Sequence, residues 1–107
     1  MIKKLTLISL FTMLPASFFF AQTTVYAYLK DADGKPVENA EIDLKGSGNE
    51  VKADKIGYFQ FVDLKTGHYQ LVITKPNFET KVMEFDVNDE KRKDLGVVTL
   101  YSSVTGA

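Results

Sequence analysis

At 107 residues the chain has room for one domain. Its 13 basic and 14 acidic residues are interspersed and leave a net charge of −1, so nothing in it forms the basic footprint that nucleic acid requires. It contains no cysteine, which excludes disulfides, thiolate metal sites, thiol nucleophiles and a lipid-modified cysteine.

The first 21 residues read as a secretory signal. Lys3 and Lys4 follow the start methionine, Leu5 to Phe20 carry no charge, and Ala21-Gln22 opens a polar chain. A membrane-spanning helix needs about 20 strongly apolar residues, whereas this run is broken by Thr6, Ser9, Thr12, Pro15 and Ser17. Cleavage is expected between Ala21 and Gln22. An uncleaved anchor is the competing reading, because Phe19 stands three residues before the cut, where a small side chain is usual. The domain is then residues 22–107, and losing Lys3 and Lys4 makes it mildly more acidic, which suits solubility.

After Ala21 no stretch keeps a helical period, and seven short runs alternate at period two. The first, Thr23 to Lys30, sets Val25, Ala27 and Leu29 on one face and Tyr26 and Tyr28 on the other. Asp31-Ala32-Asp33-Gly34-Lys35-Pro36 turns the chain, since Asp and Gly tolerate left-handed geometry and Pro36 removes a ladder donor. The second run, Glu38 to Lys45, places Ala40, Ile42 and Leu44 inward. Gly46-Ser47-Gly48-Asn49 turns into a third, Glu50 to Ala53, which stops at Asp54-Lys55-Ile56-Gly57. The fourth, Tyr58 to Val62, puts Phe59 and Phe61 on one face, and Gly67 leads into the fifth, His68 to Lys75, with Tyr69, Leu71 and Ile73 inward. Pro76-Asn77 separates it from the sixth, Phe78 to Val87. A charged loop from Asn88 to Asp94 precedes the seventh, Leu95 to Tyr101. Strands at this spacing predict a seven-stranded antiparallel Greek-key β-sandwich.

Little in this pattern carries chemistry. His68 is the single histidine, has no second ligand nearby and lies on the outward phase of its strand, so catalytic, cofactor-binding and metal-binding residues are all expected to be absent. Asp31-Ala32-Asp33-Gly34 begins like a calcium loop, but Ile42 occupies the position of the bidentate glutamate, so a polar turn is expected. Asp54 with Gly57 reads the same way. Gly46-Ser47-Gly48 lacks the following helix that would bind phosphate. Tyr69, two residues after Gly67, stands where sandwich folds place a corner tyrosine whose hydroxyl bonds nearby backbone. Tyr26 and Tyr28 leave two readings open: they form the inward face, or they present aromatic surface to a ligand.

Asp33-Gly34-Lys35-Pro36-Val37, Asn39-Ala40, Ile42, Leu44 and Gly46, followed by Asp54, Gly57, Tyr58-Phe59, Phe61, Leu64, Gly67, Tyr69, Leu71, Ile73 and Phe78, resemble carboxypeptidase regulatory-like domains with a transthyretin-like, or prealbumin-like, sandwich. The resemblance spans Thr24 to Leu100. It implies structural roles for Gly34, Pro36, Ala40, Gly57, Phe59, Phe61, Gly67, Tyr69 and Leu71. Ala53 departs from a frequent Thr, and Asn77 from a frequent Gly; Asn is the non-glycine residue best suited to positive φ. Such domains are non-catalytic. They accompany metallocarboxypeptidases, sit alone on secreted or surface proteins, and precede the plug and barrel of TonB-dependent receptors.

The resemblance implies an interaction or scaffolding module, and with the signal it is expected to be exported to a gram-negative envelope, secreted, periplasmic or on the outer-membrane surface. Its expected partner is an envelope protein or polysaccharide, with no nucleic acid and no cofactor, and with membrane contact only through export or a larger parent protein. Two alternatives stand beside it: a fragment of a TonB-dependent receptor or carboxypeptidase, and a carbohydrate-binding module resting on fold analogy. The protein recovered from the exported fraction should begin at Gln22, and intact-mass measurement showing a Met1 terminus would refute the cleavage.

Overall fold

The computed structural model describes residues 22–103, so the export signal and the Ala21/Gln22 junction lie outside the described residues. Seven strands follow one another: β1 (Thr23–Asp31), β2 (Glu41–Leu44), β3 (Asn49–Lys52), β4 (Tyr58–Leu64), β5 (Gly67–Thr74), β6 (Lys81–Val87) and β7 (Arg92–Leu100). They build the two-sheet sandwich that the alternation predicts, with strand orders β4-β1-β7 and β3-β2-β5-β6.

One pairing departs from the all-antiparallel expectation: β1 and β7 run parallel, from Thr24↔Arg92 to Asp31↔Leu100. Alternation encodes which face a residue takes and is silent about the direction of a distant neighbour. Strand boundaries also move, most clearly in β2, β6 and β7. Asn39 has φ 63°, which an extended strand cannot contain, so β2 begins at Glu41 rather than Glu38. Phe78 makes an isolated bridge to Ser102 ahead of β6. The expected loop over Asn88 to Asp94 is shorter, because Arg92, Lys93 and Asp94 pair with Thr24, Val25 and Tyr26. β7 is an edge strand, and its charged first residues carry too little apolar patterning to read as one.

Inward side chains of both sheets meet in one core. Val25, Ala27, Leu29, Ala40, Ile42, Leu44, Leu71 and Ile73 are fully buried, and Phe59 and Phe61 nearly so, with ring centroids 6.2 Å apart in an edge-on contact. Burying each large aliphatic side chain contributes about 1.5–3 kcal/mol, which matters in a cysteine-free domain held by packing alone. Ala53 is buried in this core and exchanges backbone bonds with Asn39 and Ala40, so a small apolar side chain suits the position.

The same turn is used twice. In Asp31–Lys35 the Asp31 carboxylate accepts the amides of Asp33 and Lys35, and in Asp54–Tyr58 the Asp54 carboxylate accepts those of Ile56 and Tyr58, each at 2.9–3.0 Å. In each the amide of the glycine returns to the Asp carbonyl at 2.9 Å. Asn77 adopts φ 73°, the left-handed conformation anticipated at that position.

Leu29 holds the second turn and the chain just beyond the first: its amide donates to the Gly57 carbonyl at 2.7 Å and its carbonyl accepts from Val37 at 3.1 Å. A β-carbon on Gly57 would lie 2.3 Å from the Leu29 carbonyl oxygen, whereas one on Gly34 would meet open space. The two glycines share nearly the same φ, 81° and 82°, so comparing them separates conformation from crowding. Gly34→Ala should cost about 1–2 kcal/mol for the left-handed backbone alone. Gly57→Ala should cost clearly more in the same denaturant titration; equal losses would contradict the close approach. Phe61→Ala should cost about 3–5 kcal/mol through the cavity it leaves, and an unchanged melting temperature would refute its core position.

Candidate functional site

With Val25, Ala27 and Leu29 fully buried, the pleat of β1 sends Tyr26 and Tyr28 to the outer face of the three-stranded sheet. The structure thereby resolves the two readings of these residues in favour of outer-face placement. Tyr28 is 36% exposed and Tyr26 is half-buried. A third tyrosine joins them. Tyr58 of β4 lies opposite Tyr28 in the antiparallel register, and its ring stands 5.1 Å from Tyr28 and 6.2 Å from Tyr26, tilted to both.

Polar groups frame these rings. The Tyr58 hydroxyl donates to Gln60 Oε1 at 2.8 Å, Gln60 lies opposite Tyr26, and the Arg92 guanidinium sits 4.6 Å from the Tyr26 centroid. That cation–π contact contributes about 0.5–1 kcal/mol at an exposed site. On the β7 side, Asp94 pairs with Tyr26 and the 59%-exposed Val97 with Tyr28. The surface is therefore aromatic at its centre, with an amide, a guanidinium and a carboxylate at its rim. It offers ring faces for apolar contact and donors and acceptors for orientation.

The sequence pattern pointed to Tyr26 and Tyr28 but not to Tyr58 or Arg92. Tyr58 precedes the inward Phe59 and is thus outward by phase, but its place beside Tyr28 depends on the β1–β4 pairing. Arg92 was hidden by being read as part of a loop.

The residues expected to be structural are placed as follows. Ala40, Phe59, Phe61 and Leu71 are buried; Gly34 and Gly57 have positive φ; Pro36 bridges to Lys30. Tyr69 is half-buried, stacks on Phe85 at 5.6 Å and donates its hydroxyl to the Lys65 carbonyl at 2.6 Å, the corner arrangement. Gly67 lacks positive φ and lies under the Tyr69 ring, where an added β-carbon would make ordinary contact.

His68 lies outward on β5, as its phase predicts, and its ring is bracketed by two carboxylates of β6. Nδ1 is 2.6 Å from Asp86 and Nε2 2.8 Å from Glu84. Only the doubly protonated imidazolium donates at both nitrogens. The hydrogen bonds to Asp86 and then Glu84 raise its pKa above the usual 6.5. The meeting of Glu84 and Asp86 with His68 depends on the β5–β6 register, His68↔Asp86 and Gln70↔Glu84.

Among the described residues no group of three His, Cys, Asp or Glu side chains is arranged to hold a metal. The carboxylates of Asp31 and Asp54 are engaged by backbone amides within their own turns. A cavity of about 280 Å³ beside β3 and β4 is lined by Asn49, Glu50, Val51, Gln60, Phe61 and Val62, so it adjoins the tyrosine face through Gln60.

Two sheets in these strand orders, closed over one apolar core, define a transthyretin-like sandwich. The family model for the carboxypeptidase regulatory-like domain matches residues 24–101, and the chain belongs to that family. No curated protein matches it in sequence. Among solved structures, the chain is similar to one chain of a type II cohesin–X–dockerin complex from Acetivibrio cellulolyticus, with a TM-score of 0.63 and 21% identity, covering 79% of this chain and 63% of that one. It is similar to 3-chlorocatechol 1,2-dioxygenase from Rhodococcus opacus 1CP, with a TM-score of 0.63 and 10% identity over 78% of this chain and 60% of that one. It also resembles the major pilin subunit of Bacillus cereus, with a TM-score of 0.59 and 20% identity over 74% of this chain and 28% of that one. At these identities the likeness shows the fold alone. The chain spans less than two thirds of each of these three.

The His68 arrangement sets a pH dependence whose sign is fixed by the direction of the shift. Because its pKa is raised on folding, the contribution is present in full below the unfolded value near 6.5 and is lost as pH rises through the folded value. Denaturant midpoints should fall across that window, and His68→Gln should flatten this component. A His68→Gln protein with the same pH profile as the parent would refute the assignment.

Proposed function

We propose that this chain is an exported, non-catalytic interaction module of the bacterial envelope that docks through the outer face of its three-stranded sheet. The single observation that carries this reading is the outward-facing, partly exposed set of Tyr26, Tyr28 and Tyr58, framed by Gln60, Arg92 and Asp94. Tyrosine and arginine are enriched where proteins make contact, because a ring offers large apolar area at low entropic cost with a polar tip. Membership of a regulatory-like domain family supports a binding role over a chemical one. Export is supported by Lys3, Lys4 and the interrupted apolar run that follows, and it would place the domain in the periplasm, at the outer-membrane surface or outside a gram-negative cell.

A second reading is favoured by a separate observation: similar folds occur as parts of longer chains, 60% of the dioxygenase and 28% of the pilin subunit being covered. On that reading the domain is a fragment of a larger receptor or carboxypeptidase, and the tyrosine face docks within the parent protein. A reading frame continuing beyond Ala107 would favour it.

The triple variant Tyr26→Ser/Tyr28→Ser/Tyr58→Ser tests the surface. These rings are partly solvated, so the variant should stay folded with a loss of about 1–2 kcal/mol per ring at most. Retention of the purified domain on immobilised envelope polysaccharide and on outer-membrane protein fractions should fall at least tenfold on whichever matrix holds the parent, equivalent to about 1.4 kcal/mol. Unchanged retention by a folded triple variant would refute this face as the docking site.

A further inference from the structure

Because β1 and β7 are parallel, the chain enters the domain at one end and leaves it at the other. Thr24 faces Arg92 at the entry end and Asp31 faces Leu100 at the exit end. The nine residues of β1 separate these ends by about 30 Å at roughly 3.3 Å per residue. Tension applied between Gln22 and Ser103 therefore draws β1 one way and β7 the opposite way along a shared axis.

We propose that the β1–β7 ladder is a mechanical clamp, loaded in shear whenever the two ends of the domain are pulled apart. The ladder hydrogen bonds lie across the pulling axis, so all are strained together and none can be released alone. Peeling the same ladder from one end would instead break its bonds in succession.

Four further features oppose slippage. β1 is the central strand, so sliding it must also shear its antiparallel ladder with β4. Its inward Val25, Ala27 and Leu29 are fully buried and would have to be dragged through the core. A register shift between Tyr26 and Tyr28, opposite Gly96 with φ 82°, breaks the repeat, so a slipped ladder cannot simply re-form one step along. Both ends are also tied down beyond the ladder. At entry, the Thr23 hydroxyl donates to the Glu90 carbonyl, and the Thr24 amide donates to Lys91 at 2.9 Å. At exit, the Glu79 amide donates to Tyr101 at 2.8 Å, the Ser103 amide to Asn77 at 2.9 Å, and Phe78 bridges Ser102. This inference is independent of what the tyrosine face binds.

The chain has no cysteine, so introduced pairs give unique attachment points for single-molecule pulling. In the full chain, Gln22→Cys with Ser103→Cys loads the ladder in shear, whereas Gln22→Cys with Lys91→Cys holds the two strands at the same end and peels them. All three positions are exposed. Forced unfolding is governed by the barrier along the pulled direction rather than by equilibrium stability. The two variants should share one denaturant midpoint, and the shear pair should unfold in a single step at several times the force of the peel pair. Equal forces, or a weaker shear pair, would overturn the proposal. Should either pair fail to fold, Tyr101→Cys replaces Ser103→Cys and Asp89→Cys replaces Lys91→Cys, with the same two outcomes.

Discussion

The organisation of this domain depends on the two-sided burial demand placed on β1. The strand lies between β4 and β7, so its backbone is paired along both edges, while its inner face is sealed against the second sheet by Val25, Ala27 and Leu29. A strand fixed on three sides can offer only its fourth side to solvent, and in β1 that side carries Tyr26 and Tyr28. The exposure of these aromatic rings follows from the pleat: a one-residue slip would bury the tyrosines and expose the aliphatics. The bulge at Gly96 of β7 and the close approach of Gly57 to the Leu29 carbonyl hold the register against such a slip.

The two outer faces of the sandwich differ in chemistry as a consequence. On the three-stranded sheet, Tyr28 and Tyr58 are cross-strand neighbours, and Arg92 rests on the ring of Tyr26. On the four-stranded sheet, Glu41, Asp43, Glu50, Glu84 and Asp86 take outward positions beside Lys45, Lys52 and His68, a mixed but acidic surface. His68 stands where two of these carboxylates would otherwise repel each other, and its imidazolium form relieves that repulsion. The aromatic cluster thus lies on one side of the core and the acidic cluster on the other, with Arg92 and Asp94 at the rim of the tyrosines.

The paired turns show how a small domain without cross-links sets the ends of its strands. In each, one Asp carboxylate takes two amides that would otherwise lack partners at a strand terminus, and one glycine supplies the left-handed residue. Their carboxylates serve the backbone, which accounts for a calcium-loop-like start that is used as a turn. Leu29 bonds to Gly57 within the second turn and to Val37 just beyond the first, so β1 is tied to both connecting segments through a single residue's backbone.

Much of this is legible in the amino-acid order, because face and turn are local properties. Alternation at period two assigns Val25 against Tyr26, Phe59 against Tyr58 and Leu71 against His68, and Asp and Gly at fixed offsets mark where strands end. Partnership is not local. Thr24 meets Arg92, and Tyr28 meets Tyr58, across stretches of chain whose patterning says nothing of who lies beside whom or in which direction. The tyrosine trio, the bracketed His68 and the parallel β1–β7 ladder therefore emerge with the fold. Each is a contact between strands remote in sequence, selected by closing two apolar faces over one core, and no single strand carries that information.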